Sequence, residues 1–237
     1  MTGAELKAGA RKLIFENSPR LLLISLLYLV IVTVVSWLAA RLPGSINLED
    51  IYARLASGET PGPGVIYTNF RPTGAFLAIL LYMVTPVFDV GFTSFCMKTR
   101  RAQDTEVKDL LNGFLFFTKV LSVFIITTVL IFLWSMLLFI PGIIASYRYR
   151  LAYYILIDDP GKGALQCINE SKLLMEGKKL DLLTIDISFI GWYILDLVVV
   201  FLIPSPIALP LVSIWLSPYL GLTRAGFYED QIVKIAV

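Results

Sequence analysis

The chain has 237 residues, of which 57% are hydrophobic and only 16% are charged, and its mean hydropathy is +0.77. This composition excludes an ordinary soluble globular protein and places the chain in a membrane. The net charge of +2 is too small to suggest nucleic-acid binding. The sequence also contains no histidine, so the most common general base and metal ligand is absent.

Six apolar segments have the length and composition of membrane-spanning helices. A run of about 18 or more apolar residues with few charges can cross the hydrocarbon core of a bilayer, which is about 30 Å thick. The segments are residues 21–40, 74–97, 120–140, 142–157, 182–203 and 207–222. The sequence therefore predicts an all-α membrane protein with six transmembrane helices in a single polytopic domain over residues 1–237.

The positions of the lysine and arginine residues predict how these helices are oriented. Cytoplasmic flanks of membrane helices carry an excess of positive charge. With the N-terminus inside, the cytoplasmic segments hold fifteen of the twenty basic residues, the outer segments hold Arg41, Arg54 and Arg71, and the fourth apolar segment holds Arg148 and Arg150. The first apolar run is longer than the core of a cleavable signal peptide, which has about 7–15 residues. We expect a multi-pass protein of the cell membrane, in contact with the lipid bilayer, with both termini cytoplasmic.

Two similar phrases precede the first and the fifth apolar segments, KLIFEN at residues 12–17 and KLLMEG at residues 172–177. Each closes a stretch of apolar residues at helical spacing with charges between them, which is typical of an interfacial helix. The stretch TEVKDLLNGFLFFT at 105–118 has the same pattern before the third segment. Asn17 and Gly177 tolerate the left-handed conformation that ends a helix. We expect three hairpins, each preceded by a cytoplasmic interfacial amphipathic helix; the alternative is a chance match between residues common at membrane borders.

The connections on the outer side differ in length. Pro141 and Gly142 predict a tight turn between the third and fourth segments. The first outer loop, in contrast, covers residues 42–73. A loop of this length is usually either functional or disordered, and the sequence assigns it no role.

Five charged residues fall inside the predicted spans, namely Asp89, Arg148, Arg150, Asp186 and Asp196. A charge within a bilayer is costly and usually faces a partner or a wet cavity. At about 1.5 Å per residue, the first four lie at similar depths in the inner half of the bundle. We expect them to form one intramembrane polar cluster in which an arginine pairs with Asp89 or Asp186, whereas Asp196 has no evident partner. Such a cluster binds an anionic group, relays protons, or holds the helices in register.

Three stretches of the sequence resemble a known family. They are LKAGARKLIFEN (6–17), IPGIIASYRYRLAYYILIDDPGKGALQCINESKLLMEGKKLDLLTIDISFIGW (140–192) and SPYLGLTRAGFYEDQI (217–232). Their most specific elements are the Pro-Gly pair, the DDP and SFIGW motifs, and the PY and FY pairs of the closing stretch. In these features the chain resembles the bacterial integral membrane proteins of domain of unknown function family 975. The resemblance implies a polytopic membrane protein with no established activity.

Two functions fit these observations. The first is a non-enzymatic carrier or binder of a lipid-like or small anionic solute, which would use the polar cluster. The alternative is a structural or regulatory membrane partner protein without transport activity. The sequence contains no HExxH, GxSxG or phosphate-binding glycine motif, so we expect no enzymatic activity, no cofactor and no metal.

The predicted topology can be tested by cysteine labelling. In intact cells, a membrane-impermeant thiol reagent should label a Gly58→Cys variant, because residue 58 belongs to the first outer loop. The same reagent should not label a Gln103→Cys variant, because residue 103 belongs to a cytoplasmic connection. Labelling at position 103 from outside would contradict the topology.

Overall fold

A computed structural model describes residues 1–42, 57, 72–202 and 211–236. Most of the predicted outer loop at 42–73 lies outside these residues, as does the predicted connection between the last two spans, around residues 204–206. Within the described part of the chain every regular element is helical. The all-α class predicted from composition and periodicity is therefore confirmed.

The described helices follow one another with short connections. The α-helices are α1 (Gly3–Asn17), α2 (Arg20–Arg41), α3 (Pro72–Tyr82), α4 (Thr85–Arg100), α5 (Asn112–Leu115), α6 (Phe117–Leu137), α7 (Phe139–Arg148), α8 (Ala152–Asp158), α9 (Ala164–Leu174), α10 (Lys179–Ile187), α11 (Ile190–Leu202) and α12 (Ser213–Ala236). A 3₁₀ helix at Val107–Leu111 precedes α5.

The internal contacts of the chain divide it into two compact units. The larger unit comprises residues 1–29 and 86–237, and the smaller comprises residues 30–85. In the smaller unit Ala39 and Ala78 are buried, and the Arg41 guanidinium lies 4.2 Å from the Trp37 ring centroid. All the sites described below belong to the larger unit.

Four helical stretches of the described residues are long and apolar enough to cross a membrane. They are Arg20–Arg41, Pro72–Arg100, Phe117–Leu137 and Lys179–Val199. These coincide with the first, second, third and fifth predicted segments. Their outward side chains are apolar as well, since Ile125, Val129, Phe132 and Leu133 of α6 are 45–61% exposed. Apolar surface of this kind is compatible with a membrane location, because lipid rather than water can cover it.

The fourth predicted segment, residues 142–157, is not a single helix. The chain is extended at Leu138, with φ −163° and ψ 152°, and α7 begins at the next residue. The expected turn at Pro141 and Gly142 is therefore wrong. Both residues lie in the first turn of α7, where proline is tolerated because the N–H that it lacks would have no helical partner. A second interruption, at residues 149–151, separates α7 from α8.

The helices on either side of Leu138 run antiparallel. Near the end of α6, Ser135 lies against Gly142 of α7. Near the start of α6, the Lys119 ammonium donates a hydrogen bond to the carbonyl of Pro160, just beyond α8. These contacts at the two ends of α6 mean that α7 and α8 return along it.

The two similar phrases both stand where one helix gives way to another. α1 ends at Asn17 and α2 begins at Arg20, while α9 ends at Leu174 and α10 begins at Lys179. Gly177, with φ +69°, has the left-handed conformation that was expected. The expectation for Asn17 is wrong: it is the last helical residue of α1, and its side-chain amide donates to the Leu13 carbonyl at 2.9 Å.

Helix α1 is an integral part of the larger unit. It begins with a capping box, in which Thr2 Oγ1 accepts from the Glu5 N–H at 3.3 Å and the Glu5 carboxylate accepts from the Thr2 N–H at 2.9 Å. Leu6, Ala10 and Ile14 follow at intervals of four residues and are all buried. This apolar face packs against α12 and α10. The position of α1 on an inner membrane leaflet stays a prediction.

Two glycines bring α4 and the segment around α5 into backbone contact. A Cβ atom at Gly91 would overlap the carbonyl group of Leu110, and a Cβ atom at Gly113 would overlap that of Val87. The buried Asp109 beside this contact accepts a hydrogen bond from the Lys98 ammonium at 2.6 Å. Small residues at both crossing points therefore set the distance between these elements.

Substitution at the glycine contact should destabilise the protein. We expect Gly91→Ala or Gly113→Ala to lower the free energy of unfolding by about 1–3 kcal/mol, because the opposing atoms are backbone and cannot rotate away. Gly191→Ala in α11 is the control, since a Cβ atom there meets nothing within 4 Å. Thermal unfolding in detergent measures the difference. Equal stability of the three variants would mean that the close approach is not required.

Candidate functional site

The larger unit contains a cavity of about 400 Å³. Parts of α2, α4, α6, α7, α8, α11 and α12 surround it. Its polar lining comprises the charged residues Asp89, Arg150 and Arg224, the tyrosines Tyr28, Tyr149, Tyr153, Tyr154 and Tyr193, and the hydroxyl residues Thr93, Thr127, Ser146, Ser213 and Ser217. A cavity with three charged groups among apolar helices is the strongest candidate site in the described part of the chain.

The interruption between α7 and α8 lies at the wall of this cavity. Ser171 of α9 stabilises the interruption from both sides, since its hydroxyl donates to the Arg148 carbonyl at 3.0 Å and accepts from the Leu151 N–H at 3.1 Å. Ser171 is fully buried. Because backbone groups freed from a helix need partners where water is scarce, the Ser171 hydroxyl replaces the helical hydrogen bonds that are lost. Tyr149 and Arg150, which lie in the interruption, both line the cavity.

The Arg150 guanidinium has no direct partner at this surface. Its side chain is exposed to the cavity, and no residue that the structure describes forms a hydrogen bond or an ion pair with its guanidinium. The predicted ion pair between Arg148 or Arg150 and Asp89 or Asp186 is therefore wrong.

Asp186 has a different basic partner from the one expected. Nη2 of Arg224 lies 3.0 Å from its Oδ1, and Nε of Arg224 donates to the same oxygen at 3.1 Å. The Tyr147 hydroxyl donates to Oδ2 at 3.1 Å. Asp186 does not itself line the cavity, but its partner Arg224 does.

Asp89 is held by a phenol rather than by an arginine. The Tyr28 hydroxyl donates to Oδ1 of Asp89 at 2.6 Å, and the Tyr28 ring stacks on Phe92 with the centroids 4.4 Å apart. Oδ2 of Asp89 accepts no hydrogen bond from a described residue, although the side chain is exposed to the cavity. Asp89 and Arg150 therefore share the cavity without pairing directly.

Of the four predicted cluster residues, the structure brings two to the cavity. Asp89 and Arg150 line it, Asp186 is linked to it by Arg224, and Arg148 is exposed but does not line it. Whether these residues act as a functional site stays a prediction.

Asp196 proves to have partners that its position in the sequence did not reveal. Its carboxylate accepts from the Val212 N–H at 3.0 Å and from the Ser213 hydroxyl at 2.5 Å. It therefore satisfies donors at the beginning of α12. The side chain is 7% exposed, so the assignment of Asp196 as a residue without a partner is wrong.

Three further lining residues, Arg224, Tyr149 and Tyr154, were not predicted to belong to a site. Arg224 was counted among the cytoplasmic charges, and the tyrosines carried no specific signal. The spacing of α12 could have indicated the role of Arg224, because Leu216 and Leu220 lie eight and four residues before it and line the same cavity. No comparable pattern distinguishes the tyrosines from interfacial aromatic residues.

A network of charges joins α4, α8 and α12 at another place in the unit. The Arg101 guanidinium, which directly follows α4, donates to both oxygens of Asp158 at 2.6 and 3.0 Å, and to Glu229 at 3.2 Å. Arg100 donates to Glu229 at 2.7 Å. The Tyr228 hydroxyl donates to Asp158 at 2.9 Å. The DDP motif and the closing FYED stretch therefore meet at Arg101.

This network changes the proton affinity of its members. The hydrogen bonds to Asp158 raise the pKa of the Arg101 guanidinium above its ordinary value. Burial, followed by the negative charge of Asp158, raises the pKa of the Tyr228 phenol. Both shifts favour the protonated forms that donate in the network.

The described residues contain no group of three or more Cys, Asp or Glu side chains arranged to hold a metal ion. The expectation that the protein uses no metal and no cofactor stays a prediction.

Comparison with known proteins shows that part of the chain is similar to a family. Residues 136–234 match the family model described as "Protein of unknown function (DUF975)". No curated protein and no solved structure matches the chain. The matched region includes Arg150, Ser171, Asp186 and Arg224, whereas Asp89 precedes it. Its description names no activity, so the function has to be inferred from the site.

The role of Ser171 can be tested by removing its hydroxyl. We expect Ser171→Ala to lower the free energy of unfolding by about 1–3 kcal/mol, because the Leu151 N–H and the Arg148 carbonyl lose a partner in a buried place. Ser122→Ala is the control, since the Ser122 hydroxyl donates only to the Thr118 carbonyl of its own helix at 2.8 Å. Thermal unfolding in detergent compares the two. An equally small loss of stability in both variants would show that the interruption does not depend on Ser171.

Proposed function

We propose that this chain, which belongs through residues 136–234 to the DUF975 family of unknown function, is a polytopic membrane protein that binds and carries a small anionic or lipid-like solute without catalysing a reaction. The observation that carries the proposal is the unpaired Arg150 guanidinium in the cavity. An anionic group of the solute would provide the missing counter-charge.

Arg150 is suited to this role by its chemistry. A guanidinium keeps its charge at any physiological pH, and it binds carboxylates and phosphates through two parallel hydrogen bonds. A charge among membrane helices needs a partner or water. Since Arg224 is already paired with Asp186, Arg150 is the cation that is available to a ligand.

Tyr149 and Tyr154 supply further donors. They are 6% and 7% exposed and line the cavity, yet neither hydroxyl forms a hydrogen bond with a described residue. Neither hydroxyl is among the fully enclosed atoms that lack a partner, so both have exposed area. A ligand oxygen bound to Arg150 could accept from these phenols.

The volume of the cavity and the position of Asp89 limit the solutes that fit the site. The volume of about 400 Å³ falls within the range of about 300–1,000 Å³ that is usual for small-molecule sites. Oδ2 of Asp89 is free to accept a hydrogen bond from a ligand. A small acid that also carries a hydroxyl or amino group would satisfy both Arg150 and Asp89.

The proposal includes six spans in three hairpins, with both termini in the cytoplasm of the cell. The fourth span would consist of α7, the interruption at residues 149–151 and α8, a stretch from Phe139 to Asp158 that extends over about 30 Å at the rise of a helix. The sixth would be the first part of α12. The excess of basic residues on the predicted cytoplasmic segments supports this orientation. Broken helices commonly form the solute sites of membrane carriers, which supports a site at the interruption between α7 and α8.

The test compares two neighbouring arginines in purified protein. Lactate, propionate and glycerol 3-phosphate are titrated in detergent and binding is followed by calorimetry and thermal shift. Lactate should bind more tightly than propionate, because only lactate has a hydroxyl group for Asp89. Arg150→Gln should weaken binding about tenfold or more, as expected for a hydrogen bond between charged groups.

Arg148→Gln is the matched control. It removes the same charge two residues away, but Arg148 does not line the cavity, so binding should be unchanged. An equal loss in both variants would contradict a site at Arg150. If none of the three acids binds and native mass spectrometry finds no retained small molecule, the carrier function is excluded and the role of a membrane partner protein is favoured.

A further inference from the structure

A second concave surface lies beside helix α1, within the same unit. This groove of about 530 Å³ is formed by α1, by the region where α10 gives way to α11, and by Tyr219 of α12. The side of α1 that faces it carries Lys7 and Arg11, one helical turn apart. Gly3, Ala4 and Ala8 also line the groove, and their small side chains leave room above the helix.

Both cations at the groove lack a carboxylate partner among the described residues. The Lys7 ammonium donates to the Ser188 hydroxyl at 2.8 Å and lies 5.1 Å from the centroid of the Phe189 ring. The Arg11 guanidinium lies 6.0 Å from the centroid of the Tyr219 ring and forms no hydrogen bond with a described residue. In contrast, Lys12 on another face of α1 is 3.7 Å from Glu16. The groove therefore holds two positive charges that the protein does not neutralise.

Tyr219 provides an independent indication of a ligand. Its side chain is only 3% exposed, and its hydroxyl forms no hydrogen bond with any residue that the structure describes. The hydroxyl is nevertheless not among the fully enclosed atoms that lack a partner, so the small exposed area of Tyr219 includes it. Since Tyr219 lines the groove, this hydroxyl is a donor available there.

The surroundings of the groove indicate that its ligand comes from the membrane. Two residues after α1 the chain enters α2, which is long and apolar enough to span a bilayer. Ile187 and Ile190, on either side of the Ser188–Phe189 pair, are 54% and 57% exposed. An anionic group in the groove would thus lie next to apolar surface that suits an acyl chain.

We propose that this groove binds the headgroup phosphate of an anionic phospholipid. The phosphate lies between Lys7 and Arg11, where its single negative charge offsets one of the two positive charges, and the Tyr219 hydroxyl donates to another of its oxygens. The acyl chains extend over the apolar side chains beside Ser188. The site is separate from the Arg150 cavity, so the lipid proposal does not depend on the proposed solute binding.

The experiment measures lipid binding to the full-length chain in detergent by native mass spectrometry, with phosphatidylglycerol and phosphatidylcholine as probes. The unsubstituted protein should bind phosphatidylglycerol at least about tenfold more tightly, because only that lipid has a net negative headgroup. Lys7→Gln combined with Arg11→Gln should abolish this preference.

Two further variants separate the groove from general charge effects. Lys12→Gln combined with Lys108→Gln removes two positive charges outside the groove, from side chains that are 78% and 87% exposed, and the preference should persist. Arg150→Gln should also leave it unchanged. Loss of preference in either case would overturn the assignment to the groove.

Tyr219→Phe keeps the ring that packs on Phe189 and removes only the hydroxyl. It should weaken phosphatidylglycerol binding several-fold without a change in melting temperature, which keeps the test decisive if the double variant at Lys7 and Arg11 does not fold. Inorganic phosphate is the last arm. If it competes with phosphatidylglycerol at equal concentration, the groove is a site for free phosphate, and the lipid proposal is overturned.

Discussion

The hydroxyl of Ser171 is the contact on which the cavity depends. An interruption of a helix between apolar neighbours leaves an N–H and a carbonyl without partners, and burying such groups unpaired is costly. By bonding to the Arg148 carbonyl and the Leu151 N–H at once, Ser171 allows α7 to end and α8 to begin inside the unit. Tyr149 and Arg150 are consequently released from regular helix geometry at the cavity wall.

Charged side chains in the apolar region, like the free backbone groups, need partners within the protein. Asp186 is neutralised by Arg224, Asp196 accepts from donors at the beginning of α12, and Asp89 accepts from Tyr28. After these pairings Arg150 is the cavity cation without a direct partner, and the only partner of Asp89 among the described residues is a neutral phenol. This geometry is informative, because charges that only hold helices together would be expected to pair directly, whereas Arg150 and Asp89 both line a cavity.

The closing stretch of the sequence explains how one helix organises most of the larger unit. Along α12, Ser213 meets Asp196, Tyr219 packs on Phe189, and Arg224 pairs with Asp186. Further on, Glu229 binds Arg100 and Arg101. These contacts run from one end of α12 towards the other and reach helices that are distant in sequence. The DDP, SFIGW and FYED elements are thus parts of one interconnected arrangement.

The sequence by itself determined the helical class, four apolar segments of spanning length and the interruptions at both similar phrases. These features depend on local composition, on side-chain spacing and, at Gly177, on a conformation that glycine adopts without strain. Asp89 and Arg150 were also identified from sequence, because a charge within an apolar run is visible without any knowledge of packing.

Only the tertiary structure decided which groups meet. The choice of Arg224 over Arg150 as the partner of Asp186, and the joining of Asp196 to Val212 and Ser213, depend on how helices are rotated about their axes. For α12, rotation of that kind is restricted by the close contacts of Gly221 with Cys96 and of Gly226 with Arg100. The interruption at residues 149–151 was equally hidden, because it is stabilised by Ser171, twenty residues away along the chain. Local spacing shows which side chains share a helix face, whereas the partner of that face is determined by packing between distant segments.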